Sequence, residues 1–308
     1  MVKLNIDLPE SFFQEEERDG YLVSAKTKEL WAVQLDLLNE FDRVCKKHNL
    51  KYTLEGGTLL GAIRHKGFIP WDDDVDVSML REDYEKLLEV APVEFNEPYF
   101  LSNYHSEPFF SDYVYKFRRR DTTILMTSDL SSKKSNYGIF VDIFVYDSLP
   151  SDDLGRLQEI LWFSRVMHYR VQSMARVPSI NDGLRKILRY FYYNLRYRSV
   201  SKQYNKLDNY AKQFNEGPFK ACITACLKWC YPKEWFDEII EMPFEAMMLP
   251  VSANYDDMLK MQYGDYMTPV LGSAAHSLVY FDTDRPSEVV MKDKALMKEL
   301  KQKVRNLK

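Results

Sequence analysis

Apolar side chains recur at helical spacing in the first part of the chain. Residues 28–48 carry one stripe of leucine, valine and phenylalanine, with most charged residues on the other side. This period predicts a helix. The same spacing predicts a helix over 81–90 and a shorter one over 56–64, which follows an extended piece over 51–55.

Other segments alternate with a period of two, which is typical of strands. Residues 74–79 alternate aspartate with apolar residues, and 139–146 form an apolar run that is broken only by Asp142. Further short strands are predicted over 99–104, 113–117 and 122–126. Strands and helices are therefore mixed in the first half of the chain, which indicates an α+β fold.

Beyond residue 150 the helical period dominates as far as residue 231, with interruptions near 178–183 and 217–218. Short strands are predicted over 244–250, followed by a helix over 254–263, a loop-rich tail beyond Gly272 and a terminal helix from about Lys292. We therefore divide the chain into a mixed core over 1–150, a helical region over 151–240 and a C-terminal segment over 241–308 that returns to the core.

The composition is that of an ordinary globular protein. The 308 residues include 42 Lys+Arg and 46 Asp+Glu, which gives a formal net charge of -4, and 45% of them are hydrophobic. These values exclude a disordered chain and argue against a nucleic-acid binder, which normally carries a basic excess.

Residues 1–7 lack a signal segment, and no uncharged apolar run reaches the length of about 18 residues that spans a membrane. We therefore expect a cytoplasmic protein with no nucleic-acid partner.

Cysteine use predicts core packing rather than a metal or redox site. Cys222, Cys226 and Cys230 are spaced four residues apart and share one stripe if that segment is helical, and the fourth cysteine is Cys45. No second Cys/His pair completes a zinc site in the sequence. Free cysteine commonly packs as a small apolar residue, so we favour that interpretation.

Four aspartates lie close together, and a fifth interrupts an apolar strand. On a strand, Asp74 and Asp76 point to the same face, where two carboxylates repel each other unless a cation lies between them. An unpaired buried carboxylate at Asp142 would be costly. A solvated turn would explain Asp72 and Asp73 but not Asp142. We therefore predict that Asp74, Asp76 and Asp142 hold Mg²⁺ or Mn²⁺, which prefer oxygen ligands.

The residues Gly56, Gly57 and Thr58 begin a predicted helix. Free backbone N–H groups, a hydroxyl and the helix dipole suit a phosphate there, so we count all three as substrate-binding candidates. A double glycine alone usually marks a turn. Followed by the D-x-D pattern and a third strand aspartate, it is typical of a metal-dependent nucleotidyl- or phosphotransferase.

The segment Glu55–Met79 closely resembles the signature of the LicD family, relatives of fukutin in the polymerase-β-like nucleotidyltransferase superfamily. Tyr115–Thr123, Gly138–Asp147 and Tyr263–Thr268 resemble the family in the same order. The resemblance implies a nucleotidyltransferase-like mixed sheet with flanking helices. It also implies transfer of phosphocholine or a related phospho-alcohol from CDP-choline, or a similar CDP-alcohol, to a hydroxyl of a bacterial cell-surface glycan or lipid-linked glycan precursor.

The same resemblance implies roles for single residues. Asp74 and Asp76 become the metal-binding pair, and Asp142 becomes the third carboxylate and the candidate base. Gly57 and Thr58 become phosphate contacts.

Basic residues near these motifs extend the predicted site. Arg64, His65 and Lys66 precede the acidic loop and are predicted to neutralise the pyrophosphate, with a solvated helix end as the alternative. Of the three arginines at 118–120, which end a strand, we expect Arg118 to reach the site.

Aromatic residues are candidates for binding the transferred alcohol. A quaternary ammonium such as choline is held by aromatic faces, so Trp71, Tyr263 and Tyr266 are candidate contacts, with ordinary packing as the alternative. Asp265 lies between the two tyrosines in sequence and completes the predicted substrate-binding set.

Residues 168–206 form a basic segment with nine Arg or Lys residues and one acid, Asp182. A basic amphipathic helix with aromatic residues suits an anionic lipid surface, here the inner face of a membrane, or a polyanionic glycan acceptor. A core helix with a solvated basic side explains the pattern equally well.

Two other functions are compatible with the residues. A glycosyltransferase could use the D-x-D pattern to hold a nucleotide-sugar together with its metal. A catalytically silent protein could keep the fold for nucleotide or glycan recognition, although three converging carboxylates bring such a protein no structural benefit.

Overall fold

Helices and strands are mixed in the structure, as the sequence predicts. A computed structural model describes residues 1–112, 114–133, 136–149, 154–179, 182–215, 219–221, 229–270 and 278–306. The helices in these ranges are α1 (Ala25–Lys47), α2 (Gly56–His65), α3 (Arg81–Glu94), α4 (Leu154–Ala175), α5 (Leu184–Tyr197), α6 (Val200–Lys212), α7 (Tyr255–Tyr263), α8 (Ser287–Val290) and α9 (Lys294–Asn306). Short 3₁₀ helices occupy Glu10–Phe13, Asp129–Ser131 and Lys233–Phe236. The strands are β1 (Glu16–Arg18), β2 (Tyr21–Val23), β3 (Thr53–Leu54), β4 (Asp76–Leu80), β5 (Tyr99–Ser102), β6 (Tyr115–Arg119), β7 (Thr123–Met126), β8 (Ile139–Leu149), β9 (Phe219–Ala221), β10 (Cys230–Pro232), β11 (Ile239–Phe244), β12 (Met247–Ser252) and β13 (Leu278–Asp282).

The central sheet is built around the long strand β8. Its main strands follow the order β3–β4–β8–β6–β5. β4 and β8 are parallel and the other neighbours are antiparallel, so the sheet is mixed. The end of β8 also pairs with β9, which in turn pairs with β10. The predicted α+β class is confirmed.

Helix α1 packs against β8 and β6 along the apolar stripe that the sequence predicts. Leu30, Val33 and Leu37 on this stripe are at most 1% exposed. Burial of each such side chain stabilises the fold by about 1.5–3 kcal/mol. The helix begins before the periodic stripe because the Ser24 hydroxyl accepts the backbone N–H of Thr27 and caps the first turn.

Helix α2 packs closely against the loop that follows it. Lys66 adopts the left-handed conformation with φ 57° and ends the helix. The backbone N–H of Gly67 then donates to the carbonyl of Gly61 at 3.3 Å. A side chain at position 61 would strike the carbonyl oxygen of Gly67, so this contact requires glycine.

Gly61→Ala is expected to lower the free energy of unfolding by about 1–3 kcal/mol, because the added methyl group overpacks against rigid backbone. Gly183→Ala is the matched control, since no atom lies within 4 Å of a side chain there. It should change the unfolding free energy by less than about 1 kcal/mol. Denaturant titrations compare the two variants, and equal midpoints would contradict the close packing of α2.

The helical region is joined to the sheet by a buried ion network. Arg81, the first residue of α3, pairs with Asp147 on β8 at 2.7 Å and with Asp208 on α6 at 2.8 Å. The hydroxyls of Tyr104 and Tyr115 each donate to Asp208 at 2.8 Å. A small apolar cluster from α4, α6 and the end of β8 adds to the contact. The network holds α6 against the sheet.

Five short strands differ from the sequence pattern. The segments that form β9 and β10 are strands rather than the predicted helix, because they pair with each other and extend the sheet from β8. The tail that is predicted as loop contains β13, which pairs with β7. The hairpin of β1 and β2 is also absent from the prediction. All of these strands are too short to show a period of their own, and pairing with other segments stabilises them.

The cysteines that the structure describes are free thiols. Cys45 is buried in the main apolar core, and Cys230 lies in β10. Cys222 and Cys226 lie outside the described residues, so the shared stripe of three cysteines stays a prediction. Over the same described ranges, no helix is both long enough and apolar enough to cross a membrane.

Candidate active site

Three polar side chains form a row across the middle of the sheet. The parallel register of β4 and β8 sets Asp76 beside Asp142. The antiparallel register of β8 and β6 sets Asp142 beside Lys116. Residues paired in this way project to the same face of a sheet. The Lys116 ammonium and the Asp142 carboxylate form an ion pair there.

Asp74 joins this row from the loop before β4. The strand begins at Asp76, two residues later than the alternation predicts. Carboxylate oxygens of Asp74, Asp76 and Asp142 nevertheless all lie within 4.8 Å of one another. Asp72, Asp73 and Asp74 form a second group with the same spacing. The structure therefore brings the predicted triad together.

The acidic loop is held by helix α1. The indole N–H of Trp31 donates to the carbonyl of Asp72 at 2.9 Å, and the side-chain amide of Gln34 donates to the carbonyl of Asp73 at 2.8 Å. Both side chains are at most 1% exposed and lie one helical turn apart. Sequence reasoning missed these residues, although a glutamine within an apolar helix face was a signal for a buried polar contact.

Negative charge accumulates in the cluster. Burial raises the pKa of Asp76 well above its usual range, and the charges of Asp74, Asp142 and Asp72 raise it further. Burial also raises the pKa of Asp142, and the charge of Lys116 offsets only part of that change. A divalent cation would stabilise the ionised carboxylates, and Mg²⁺ and Mn²⁺ prefer such oxygen ligands. The donor set fits an ion of this kind.

The N-terminus of α2 lies next to the carboxylates. Gly56 has a positive φ of 54°, and a side chain there would lie 3.2 Å from a carboxylate oxygen of Asp76. A side chain on Gly57 would lie 2.8 Å from a carboxylate oxygen of Asp72. The Thr58 hydroxyl accepts the backbone N–H of Asp76 at 2.8 Å. Two glycines thus let the helix approach the acidic groups, and Thr58 fixes the start of β4.

A buried glutamate lies at the start of this helix, and sequence reasoning gave it no role of its own. The Glu55 carboxylate accepts the side-chain amide of Gln262 at 2.7 Å and the hydroxyl of Tyr231 at 3.3 Å. The residue is 5% exposed, and burial raises its pKa. Its charge also contributes to the raised pKa of Asp76. The sequence signal for this residue was its position as an acidic residue directly before the double glycine.

Two of the basic residues at the end of α2 contact groups other than the acidic cluster, and the third is exposed. Arg64 donates to the backbone carbonyl of Tyr266 at 2.9 Å. The Nε2 atom of His65 lies 2.7 Å from a carboxylate oxygen of Asp19. Lys66 is exposed. These three positions lie about 12–15 Å along the helix axis from its first residue.

Lys116, rather than Arg118, lies beside Asp142. Arg118 follows two residues later on the same face of β6, where it donates to the carbonyl of Gly138 at 2.8 Å and pairs with Asp112 at 3.3 Å. It is 1% exposed. Alternation along β6 indicates that both basic side chains share a face, and the register with β8 decides which of them meets Asp142.

Tyr263 is the predicted aromatic residue that the structure brings to the cluster. Its hydroxyl lies 3.8 Å from the position that a side chain on Gly56 would take. Burial and the charge of Asp76 raise its pKa. Trp71 packs edge-on against Tyr21, with 5.9 Å between ring centroids.

Tyr266 and Asp265 make their contacts elsewhere. The hydroxyl of Tyr266 donates to Asp256 at 2.6 Å, and the residue is 8% exposed. The Asp265 carboxylate accepts the hydroxyl of Thr268 at 2.8 Å. These hydrogen bonds order the segment after α7, and neither of them involves the carboxylate cluster.

The chain is similar to known proteins across these elements. The profile of the LicD/FKTN/FKRP nucleotidyltransferase domain matches residues 49–171. Lipopolysaccharide cholinephosphotransferase LicD of Haemophilus influenzae is 30% identical over 252 residues, which cover 78% of this chain and 91% of that protein.

Two further similarities are shorter. Ribitol 5-phosphate transferase FKRP of Homo sapiens is 52% identical over 40 residues, which cover 13% of this chain and 8% of that protein. An uncharacterized protein of Rickettsia prowazekii is 41% identical over 78 residues, which cover 25% of this chain and 28% of that protein.

Proposed function

The chain belongs to the LicD family of phosphotransferases, and on this premise we propose that it transfers phosphocholine or a related phospho-alcohol from a CDP-linked donor. The proposed acceptor is a hydroxyl of a cell-surface glycan or lipid-linked glycan precursor. Similarity to the LicD cholinephosphotransferase supports glycan modification, and lipopolysaccharide is the acceptor that its name gives. The shorter similarity to a ribitol 5-phosphate transferase leaves the transferred alcohol open between choline and a polyol.

The row of Asp76, Asp142 and Lys116, with Asp74 at its edge, carries this proposal. Phosphoryl transfer depends mainly on charge stabilisation and on the positioning of the reacting groups. The row supplies carboxylates for a divalent ion and one cation next to them. The N-terminus of α2 adds the backbone N–H of Gly57, which suits a phosphate.

Asp74, Asp76 and Asp142 are the residues that would hold Mg²⁺ or Mn²⁺. When bound, such an ion neutralises charge on the donor pyrophosphate and on the departing nucleotide phosphate. Hydrogen bonds hold the backbone of two of these residues: the Thr58 hydroxyl accepts the N–H of Asp76, and the carbonyl of Val75 accepts the N–H of Asp142 at 2.8 Å. The backbones of Asp76 and Asp142 are therefore held in place before a donor binds.

The proposed reaction begins at the acceptor hydroxyl, whose proton passes to the Asp142 carboxylate. The hydroxyl oxygen forms a bond to the phosphorus that carries the alcohol, and the bond from this phosphorus to the bridging pyrophosphate oxygen breaks. The electron pair of the broken bond leaves with CMP. Lys116 holds the Asp142 carboxylate in position and adds positive charge to the site.

Lys116→Met is expected to lower turnover by about 10- to 100-fold, because it removes a fixed cation from the site. Lys116→Arg keeps the charge and should recover part of the rate. Lys86→Met is the matched control, since the Lys86 side chain is 60% exposed on α3. Initial rates of CMP release compare the variants. Wild-type turnover in Lys116→Met would remove Lys116 from the proposed mechanism.

The two rival functions predict different reactions. A nucleotide-sugar glycosyltransferase would release UDP or another nucleoside diphosphate from a sugar donor. A catalytically silent protein would bind a nucleotide or glycan without turnover. The raised pKa of Asp76 argues against a silent protein, because a fold gains no stability from packing like-charged carboxylates together.

A panel of donors tests the proposal. The purified protein is incubated with Mg²⁺, a glycan acceptor and, in separate reactions, CDP-choline, CDP-ribitol and UDP-glucose. Acceptor-dependent CMP release from a CDP-alcohol is the expected result, and the preferred CDP-alcohol identifies the cargo. Turnover of UDP-glucose alone would instead support the glycosyltransferase, and binding without turnover would support the silent protein.

We propose that the reaction takes place in the cytoplasm, at the inner face of the membrane. A lipid-linked acceptor and the basic segment over 168–206 support this placement. The division at residues 150 and 240 stays a prediction, in which the middle region faces the acceptor or the membrane.

A further inference from the structure

Helix α5 presents an apolar stripe to solvent. Leu184, Leu188, Phe191 and Leu195 recur at helical spacing and are 58–76% exposed. Tyr192 extends the stripe and is 59% exposed. No residue of α5 is buried. The core-helix alternative for this segment is therefore wrong for α5.

The opposite side of α5 carries its contacts with the protein. The side-chain amide of Asn194 donates to the carbonyl of Met174 on α4 at 3.3 Å and accepts the ammonium of Lys133 at 3.1 Å. Lys133 also lies 4.7 Å from the ring centroid of Tyr190. At about 100° per residue, Tyr190 and Asn194 lie away from the stripe around Leu188. The helix is thus attached by its polar and tyrosine side, and its apolar side points outward.

Positive charge follows one edge of the apolar stripe. Arg185, Arg189 and Arg196 lie within about 40° of one another around the helix. The guanidinium of Arg189 lies 4.6 Å from the ring centroid of Tyr169. Asp182 is the acidic residue of the basic segment, and it pairs with Lys186 at 2.9 Å. The exposed surface of α5 is therefore apolar at its centre and cationic along one edge.

Two occupants of such a surface can be compared by charge. A second copy would bring two like-charged arginine rows together. Anionic lipid headgroups, in contrast, neutralise the arginines while the acyl boundary takes the apolar side chains.

We propose that α5 docks this enzyme on an anionic lipid surface. Its apolar stripe lies in the interface, and Arg185, Arg189 and Arg196 contact headgroup phosphates. Lipid binding goes beyond the transfer reaction, and it can be measured without assaying transfer.

Co-sedimentation with lipid vesicles tests the docking surface. The full chain is mixed with vesicles of phosphatidylcholine alone or of phosphatidylcholine with phosphatidylglycerol. We expect binding to the mixed vesicles that weakens at high NaCl, and much weaker binding to the neutral ones. Leu188→Glu/Phe191→Glu should reduce the partition coefficient by at least about tenfold. Arg185→Gln and Arg196→Gln should each reduce it by about fivefold.

Val93→Glu is the matched control, because Val93 is 79% exposed on α3, outside the stripe. It should bind vesicles as the wild type does, and circular dichroism checks that each variant is folded. Equal vesicle binding by wild type and the Leu188→Glu/Phe191→Glu variant would overturn the proposal. A wild-type dimer that this variant dissociates, without vesicle binding, would assign the stripe to a second copy instead.

Discussion

Asp76→Asn is expected to lower the rate of transfer by at least about 10³-fold, which corresponds to about 4 kcal/mol of transition-state stabilisation. The amide has nearly the shape of the carboxylate but lacks the charge that a divalent ion requires. Asp76 lies beside Asp142 in the sheet, and its carboxylate lies within 4.8 Å of those of Asp74 and Asp142, so its loss affects the whole ligand set. Added Mg²⁺ should raise the thermal midpoint of the wild type and leave that of the variant unchanged.

The same substitution should stabilise the protein when no metal is present. The pKa of Asp76 in the folded state lies well above its ordinary value because of burial and neighbouring carboxylates. Ionisation at neutral pH therefore costs the folded state more than the unfolded state, and the stability of the wild type falls as the pH rises through this pKa. The amide of the Asp76→Asn variant carries no charge, so the variant should unfold at a higher temperature than the wild type at neutral pH. The difference should close in acid.

Asp257→Asn is the control for both effects, because Asp257 is an exposed carboxylate on α7. It should leave the rate and the thermal midpoint unchanged. Rates of CMP release and thermal unfolding in EDTA provide the two measurements. An active Asp76→Asn variant, or one that is less stable than the wild type in EDTA, contradicts the role of the carboxylate cluster.

Arg81→Met is expected to lower the free energy of unfolding by about 3–5 kcal/mol, the largest stability effect that we predict. It leaves the carboxylates of Asp147 and Asp208 buried without their shared cation. Lys212 lies 3.1 Å from Asp208 but is 33% exposed, so it replaces only part of the lost charge. Arg120→Met removes an exposed pair with Glu97 and should cost at most about 1 kcal/mol. Denaturant titrations compare the two, and a loss in Arg81→Met as small as that in Arg120→Met would contradict the network.

Acid should weaken the same network. Burial favours protonation of Asp208, but Arg81, Lys212 and two tyrosine hydroxyls outweigh it, so the pKa of Asp208 lies below its usual value. A carboxyl group with a lowered folded-state pKa stabilises the fold above the unfolded pKa of about 4. That stabilisation is lost as the pH falls through the folded-state pKa. The unfolding free energy should therefore fall more steeply in acid for the wild type than for Asp208→Asn.

The carboxylate cluster could be predicted from local patterns because a charged side chain is unfavourable at each of its positions. Asp142 interrupts an apolar strand, and Asp74 and Asp76 place two like charges at strand spacing. Each arrangement is unfavourable unless a shared site explains it. The sequence does not contain the pairing of β4 with β8, which places Asp76 directly beside Asp142.

The register of β6 with β8 also explains why the sequence alone did not identify Lys116 as the neighbour of Asp142. Lys116 and Arg118 share one face of β6, and a shift of two residues would exchange their positions beside Asp142. The register places Lys116 directly beside Asp142, and the charge of the predicted Arg118 also lowers the pKa of Asp142. Trp31 and Gln34 were missed for a related reason, since their partners are backbone carbonyls in a loop far along the chain.

The short strands are the part of the fold that the sequence pattern does not predict. β9, β10 and β13 have three to five residues each, and pairing partners rather than periodicity stabilise them. Long elements such as α1 and β8 show many repeats of their period and were predicted close to their observed bounds.

Phosphorus NMR of the transfer reaction tests the central claim most directly. Wild type and Asp142→Asn are incubated with CDP-choline and a glycan acceptor, with Mg²⁺ or with EDTA. We predict that a new phosphodiester on the glycan appears with an equal amount of CMP, only for the wild type and only with Mg²⁺. A phosphodiester that forms equally well in EDTA or with Asp142→Asn would contradict metal-dependent transfer at the carboxylate cluster.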